Sequence, residues 1–294
     1  MTSGTRQLLK GLAWTAPWWL GFVLLLAGPM ALSLYLSFCD YPLLQPPVYV
    51  GSENYRSLLS DPVFHKVLLN TLWFAALSIP ISTVLAIGLA VLLNQPVRGQ
   101  AWFRACLFLP TVVPLVAAGV VWMWMLNPQY GLINSSLRAV GVPGPLWLES
   151  PQWAMFALVL VSLWFVGSPV IIYLAGLQEI PESLYEAALL DGASRWRRVW
   201  HVTLPGLSPV ILFNVVIGLI TAMQVFALPF VMWRMRPGPD RATYFYTMYL
   251  YDNAFRYLKM GYASAMAWIQ VLIILALTSL VFLLSRRAVH YRGA

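Results

Sequence analysis

Acids, bases and nucleophiles are scarce in this sequence and do not converge. His65, His201 and His290 lie in three separate segments, and neither HExxH nor GxSxG occurs. Local spacing therefore assembles neither a metal-held hydroxide nor an activated serine. The phosphate-cradling pattern GxxxxGK[ST] is absent too, so no nucleotide-hydrolysing loop of that type is present. One long polar stretch, Gln178 to Pro205, carries its own helical punctuation. Pro181 suits a first helical turn, and Glu182 and Glu186 complement the positive end of the helix dipole. Leu184, Ala187, Ala188 and Asp191 follow at spacings of three and four, and Gly192 supplies a left-handed stop. Trp196 to His201 can form a second short helix before Leu204 and Pro205. The chemistry of such a device is docking. A small amphipathic helix-turn-helix fits a groove in a partner, or it lies on a bilayer surface anchored by Trp196, Trp200 and its arginines.

The elements that must carry this loop are apolar throughout. Hydrophobic residues make up 60% of the 294 and charged residues only 10%, with a mean hydropathy of +0.74. A soluble domain carries nearer ~25% charge to cover its surface. Six segments are long and apolar enough to cross a hydrocarbon core, which takes about 20 helical residues. They run approximately over 12–38, 71–93, 105–126, 153–177, 207–233 and 262–285. Helices are the only open-ended solution in lipid, because every backbone group must find a partner within the segment. Pro29, Pro80, Pro114, Pro169 and Pro229 interrupt these spans and predict kinks or hinges. The expectation is an all-α membrane protein with one transmembrane domain over 1–294 and a polar loop over 178–206. Arg6 and Lys10 before the first apolar run resemble a signal peptide, but the run continues to Phe38 without a small-residue cleavage site and reads as a retained helix. Cys39 and Cys106 then fall at opposite ends of the membrane, too far apart for a disulfide.

Cations set the expected orientation. With both termini cytoplasmic, the inner segments hold ten Lys and Arg, ending in Arg286, Arg287 and Arg292, and the outer loops hold eight. Five of those eight (Arg234, Arg236, Arg241, Arg256 and Lys259) precede the last span. The net charge of +8 thus reads as loop cations near anionic lipid and not as a nucleic-acid footprint. No Asp, Glu, Lys, Arg or His falls inside any of the six spans, whereas proton and sodium relays need such groups within the membrane. If a solute is moved uphill, the energy comes from another polypeptide.

The polar loop resembles the signature of a known family. Glu186-Ala187-Ala188, three residues, Gly192, nine residues, then Val202-Thr203-Leu204-Pro205 is similar to the EAA motif of binding-protein-dependent ABC importer permeases, with Val202 where isoleucine is usual. The run YEAALLDGASRWRRVWHVTLP, Ala227 to Phe230, the loop from Gly238 to Thr243 and the KMGYASAMA stretch resemble the carbohydrate-uptake branch, similar to maltose and glycerol-phosphate permeases. The resemblance implies a type I importer fold in a prokaryotic inner membrane. It also implies a second permease subunit, an ATPase dimer that uses ATP and Mg, an extracytoplasmic solute-binding protein, and no cofactor on this chain. Glu186 would contact the ATPase or cap its own helix, while Ala187 and Ala188 stay small enough to enter a cleft. Gly192 would permit the reversal, and Leu204 and Pro205 would set the exit angle into the fifth span.

Sugar sites want hydroxyl-matching amides and an aromatic platform. On the fourth and fifth spans those are Trp164, Ser168, Asn214 and Gln224, and each also has a packing role open to it. An ABC permease for another small polar solute, a secondary transporter and a membrane-embedded enzyme are the alternatives. The charge-free spans and the lack of converging acids and bases weigh against the last two.

Overall fold

The computed structural model describes residues 3–96 and 98–286. His290, Arg287 and Arg292 lie outside the described residues. In chain order the helices are α1 (Ser3–Gly21), α2 (Gly28–Leu36), α3 (Glu53–Ser60), α4 (Pro62–Leu93), α5 (Gln100–Val112), α6 (Leu115–Met125), α7 (Leu132–Ala139) and α8 (Pro151–Leu163). They continue with α9 (Gly167–Gln178), α10 (Glu182–Leu190), α11 (Arg195–Arg198), α12 (Leu204–Met223), α13 (Ala227–Met232), α14 (Tyr246–Tyr251) and α15 (Met260–Ser285). A wide π-helical turn, Phe22–Ala27, joins α1 to α2, and another, Val199–Thr203, joins α11 to α12. Two short strands, β1 (Cys39–Asp40) and β2 (Val48–Tyr49), pair antiparallel.

Lys10–Leu36, α4, Arg195–Met232 and α15 are each long and apolar enough to cross a bilayer, and two bent pairs bring the number to six when each pair counts as one span. The expected third and fourth spans are not straight rods. Between α5 and α6 the axis turns by 100°, and between α8 and α9 by 51°. At the first break Val113 is extended with φ −72° and ψ 127°, and Pro114 follows with φ −56° and ψ 135°. A proline pushes the residue before it out of the helical region, so the break falls where the sequence puts Pro114. At the second break the amides of Trp164, Phe165 and Val166 bond three residues back, to Val161, Ser162 and Leu163. That tightened turn ends α8, and Pro169 sits in the first turn of α9, where no amide is needed. The fifth span is interrupted over Gln224–Phe226 without a comparable bend, with Pro229 in the first turn of α13. Pro80 remains inside α4 without ending it.

Clustering of the chain gives two compact units, the first being the chain up to Asp61 with Leu250–Val271, the second Pro62–Tyr249 with the chain from Leu272 on. Polar ties dominate the first. Asn54 Nδ2 donates to the carbonyls of Ser37 and Cys39 at 2.9 Å each, and the Tyr262 hydroxyl donates to Asp61 Oδ2 at 2.9 Å. Arg256, one of the five cations before the last span, pairs with Asp252 at 3.1 Å. Cys39 is buried and Cys106 exposed, both as free thiols.

In the second unit, α4 packs against α9 and α12. Ala86 and Ala90 on α4 meet Val170, Tyr173, Leu174 and Leu177 of α9 and Leu207 of α12. Apolar side chains gain little by leaving lipid for protein, so helix association relies on close backbone approach at small residues. A Cβ built on Gly176 would come within 2.9 Å of Val210 Cγ2, and one on Gly167 would run into the Leu107 carbonyl oxygen. A second cluster joins Phe74 and Ala75 of α4 to Trp122, Ala154, Leu158 and Leu228. Beyond α13 the loop is tied down by Asn70 Nδ2, which donates to the carbonyls of Arg241 at 2.7 Å and Tyr244 at 2.9 Å. Within that loop Arg234, Met235, Asp240 and Arg241 all hold left-handed backbone, with φ from 48° to 62°.

Candidate functional site

The first helix and turn of the polar loop fold as the sequence punctuates them, but the separate second helix expected over Trp196 to His201 is instead α11 and the π-helical turn, which run without a break into α12. Helix α10 starts at Glu182, directly after Pro181. It ends in a Schellman closure, with Gly192 N–H donating to Leu189 O at 3.0 Å and Ala193 N–H to Ala188 O at 2.9 Å. Gly192 has φ +74° and open space where a Cβ would stand, so glycine is required by the backbone alone. Ser194 then caps α11, its Oγ accepting from the Arg197 amide at 3.4 Å. Glu186 and Ala187 are exposed and Ala188 half-buried. Leu204 and Pro205 open α12 as its first two residues. Leu190, 90% exposed, is an apolar side chain awaiting cover.

Two contacts join this hairpin to the helix bundle. The Tyr185 hydroxyl and Thr203 Oγ1 share a hydrogen bond of 3.0 Å, and Thr203 is only 4% exposed. Ile180 fills the space at Gly206, where a Cβ would come within 2.9 Å of its Cδ1. Tyr185, beside Glu186, thus links the outward-facing helix to the π-helical turn that opens α12.

Deeper in the same unit lies a cavity of about 550 Å³ between α4, α9 and α12, within the ~300–1,000 Å³ typical of small-molecule sites. Ser168, Asn214 and Gln224 line it together. Trp164 is not among the lining residues, and packs edge-on against Trp122 at a centroid distance of 6.0 Å. The helix breaks put the polar groups there. Ser168 is in the first turn after the α8–α9 break and Gln224 stands at the α12–α13 break. Interrupted backbone at membrane depth is tolerated where it lines a cavity. Asn214 spends one donor on the Val210 carbonyl, at 3.0 Å, and keeps its amide oxygen free to accept.

Sequence reasoning missed the wall supplied by α4, namely Ser78, Ser82 and Thr83, and also Tyr173 on α9. The signal was present: Ser78 and Ser82 are four residues apart on one helical face, in a span where only Pro80 was singled out. Among the described residues none lining this cavity carries a charge.

Long apolar helices around an uncharged cavity, with an exposed helical hairpin at one end, suit a membrane transport component. The chain belongs to the family described as binding-protein-dependent transport system inner membrane component, whose profile matches residues 78–290. It is 36% identical over 288 residues to the probable ABC transporter permease protein YesP of Bacillus subtilis (strain 168), covering 97% of this chain and 93% of that one. It is 36% identical over 259 residues to the sulfoquinovosyl glycerol transport system permease protein SmoG of Agrobacterium fabrum (strain C58), covering 87% and 83%. The fold is also that of a bacterial ABC transporter involved in the import of the acidic polysaccharide alginate, with a TM-score of 0.82 at 24% identity over 96% of this chain and 99% of the other. This is the type I importer permease fold in a multi-pass protein of the cell membrane.

Proposed function

We propose that this chain forms half of the translocation path for a sugar or sugar derivative, delivered by an extracytoplasmic solute-binding protein and driven by ATP hydrolysis in a partner dimer. The observation that carries the proposal is the union, in one unit, of an exposed α10 hairpin and a cavity lined by hydroxyls and amides. Residues 1–294 act as one permease domain with both termini cytoplasmic. Glu186, Ala187 and Ala188 enter the ATPase, Gly192 reverses the hairpin, and Leu204 and Pro205 pass its movement to α12. A second permease closes the other side of the path, and ATP with Mg stays on the partner. The cargoes named for SmoG and for the alginate transporter, both carbohydrates, support sugar over other small polar solutes. Gln224 is the amide best placed to meet cargo, being exposed at a helix break on the cavity.

Purification of the tagged chain with its co-expressed partners, followed by uptake of a sugar panel into vesicles, tests this directly. Sugar uptake that requires both ATP and a loaded binding protein is the expected result. Uptake by this chain alone, without any ATPase, would establish a secondary transporter instead.

The Tyr185–Thr203 hydrogen bond adds a sharper expectation. Tyr185→Phe deletes one partly buried bond worth about 1 kcal/mol, with Thr203 Oγ1 still within 3.4 Å of the Arg198 carbonyl. The assembled complex should keep its ATP hydrolysis and lose transport per ATP by roughly fivefold. An unchanged ratio of solute to ATP would remove Tyr185 as a mechanical link.

A further inference from the structure

One buried polar group on the cavity wall has no structural employment. Tyr173 is fully buried, yet among the described residues its hydroxyl has no partner in hydrogen-bond geometry. Thr83 lies close enough for a weak polar interaction with that hydroxyl without meeting hydrogen-bond geometry, and both residues line the cavity. Native proteins rarely leave a buried hydroxyl unsatisfied, and those that do generally hold it for a ligand, a water or a reaction. Neighbouring hydroxyls are differently placed: Ser162 and Thr221 return their protons to Val159 and Ile217 carbonyls at 2.7 and 2.8 Å. The hydroxyl of Tyr173 is therefore a fully buried donor on this wall that the helix packing has not spent.

We propose that Tyr173, with Thr83 at its side, is a specificity-determining contact that hydrogen-bonds a hydroxyl of the passing sugar, and that this chain's wall of the path reads hydroxyl groups and not charge. The inference rests on the sugar-permease reading above. It assigns a role to the α4–α9 wall, which neither the spacing of the sequence nor the EAA resemblance singles out. The cavity supports it chemically, because its polar groups are neutral hydroxyls and amides, each able to match a sugar hydroxyl as donor or acceptor. A bare carboxylate or sulfonate would meet no cation here and would lose its hydration unrepaid. An acidic cargo must then have its charge held by other parts of the assembly.

The test uses the full complex in proteoliposomes, with ATP hydrolysis and solute uptake measured together at saturating binding protein. The probes are the neutral and acidic sugars transported by the unmodified complex. Tyr173→Phe removes only the oxygen, and Thr83→Val is nearly isosteric. The expected result is uptake per ATP reduced about 5–10-fold in Tyr173→Phe and by a smaller factor in Thr83→Val, with stimulated hydrolysis retained. The loss should be equal for neutral and acidic sugars. Unchanged uptake per ATP in Tyr173→Phe overturns the proposal, and so does a loss confined to acidic sugars. A fall in hydrolysis parallel to uptake also overturns it, by marking Tyr173 as a packing residue. An unmodified complex that transports no sugar at all defeats the sugar reading itself, a separate outcome visible before any variant is made.

Discussion

Ala187→Arg is expected to leave the chain folded in the membrane while lowering ATP-dependent uptake more than about 100-fold, because a charge forced unpaired into a closed cleft costs roughly 3–5 kcal/mol. The asymmetry follows from where Ala187 stands. It is exposed on α10, so the isolated chain meets no clash, and the whole cost falls on whatever covers that face. Yield and monodispersity after extraction should match the unmodified chain, and the co-purified ATPase should disappear. Ala187→Ser, which adds one small atom, should retain both. Wild-type recovery of the ATPase with Ala187→Arg would sink the assignment of this face to docking and return the hairpin to the membrane surface.

Gly167→Val should have the opposite signature, loss of most of the folded chain and a lower unfolding midpoint in what remains. A Cβ at Gly167 collides with the Leu107 carbonyl oxygen and lies 3.0 Å from Leu107 C and 3.1 Å from Phe108 Cα. All three are backbone atoms of α5, and unlike a side-chain tip they cannot swing aside. Overpacking of this sort costs typically about 1–3 kcal/mol and more where backbones must part. Gly192→Val is the matched comparison, with no atom within 4 Å of its Cβ but φ at +74°. Its penalty is conformational, about 1–2 kcal/mol for the left-handed backbone, and falls on the hairpin alone. Detergent-extracted Gly167→Val should be scarce and polydisperse, and Gly192→Val abundant but poorly coupled. Equal thermal unfolding midpoints for the two variants would show that α5 and α9 do not approach as closely as described.

Much of the fold was legible because the membrane leaves a chain so few options. Charge-free apolar runs gave the spans, and Pro181 and Gly192 gave the first helix of the hairpin and its turn, each through a backbone rule that acts locally, whereas Pro205 lies within a helix already begun at Arg195. The third and fourth spans were read as continuous because hydropathy is blind to axis direction. Pro114 and Pro169 announced a discontinuity, but its size, 100° in one case and 51° in the other, depends on neighbouring helices. The cavity was legible in part for a similar reason. Asn214, Gln224 and Ser168 stand out as polar residues in apolar surroundings. Trp164 stood out equally, and nothing local distinguishes an aromatic platform from the edge-on partner that Trp122 makes of it. Tyr173 was invisible, since an unsatisfied hydroxyl is a property of what surrounds a residue.

The break at Pro114 also bears on how the chain is made. At 1.5 Å per residue, α5 is about 20 Å long and α6 about 17 Å, so neither bridges a core of about 30 Å by itself. Their resting places are supplied by later sequence: α5 packs on α9 and α6 on α13, where a Cβ at Gly119 would lie 3.2 Å from Val231 Cγ1. The third crossing therefore has its full packing surface only once residues as far as Met232 are in place. A chain that stops before α13 would leave one face of α6 without the helix it packs against, so order in this crossing is borrowed from sequence about a hundred residues further on.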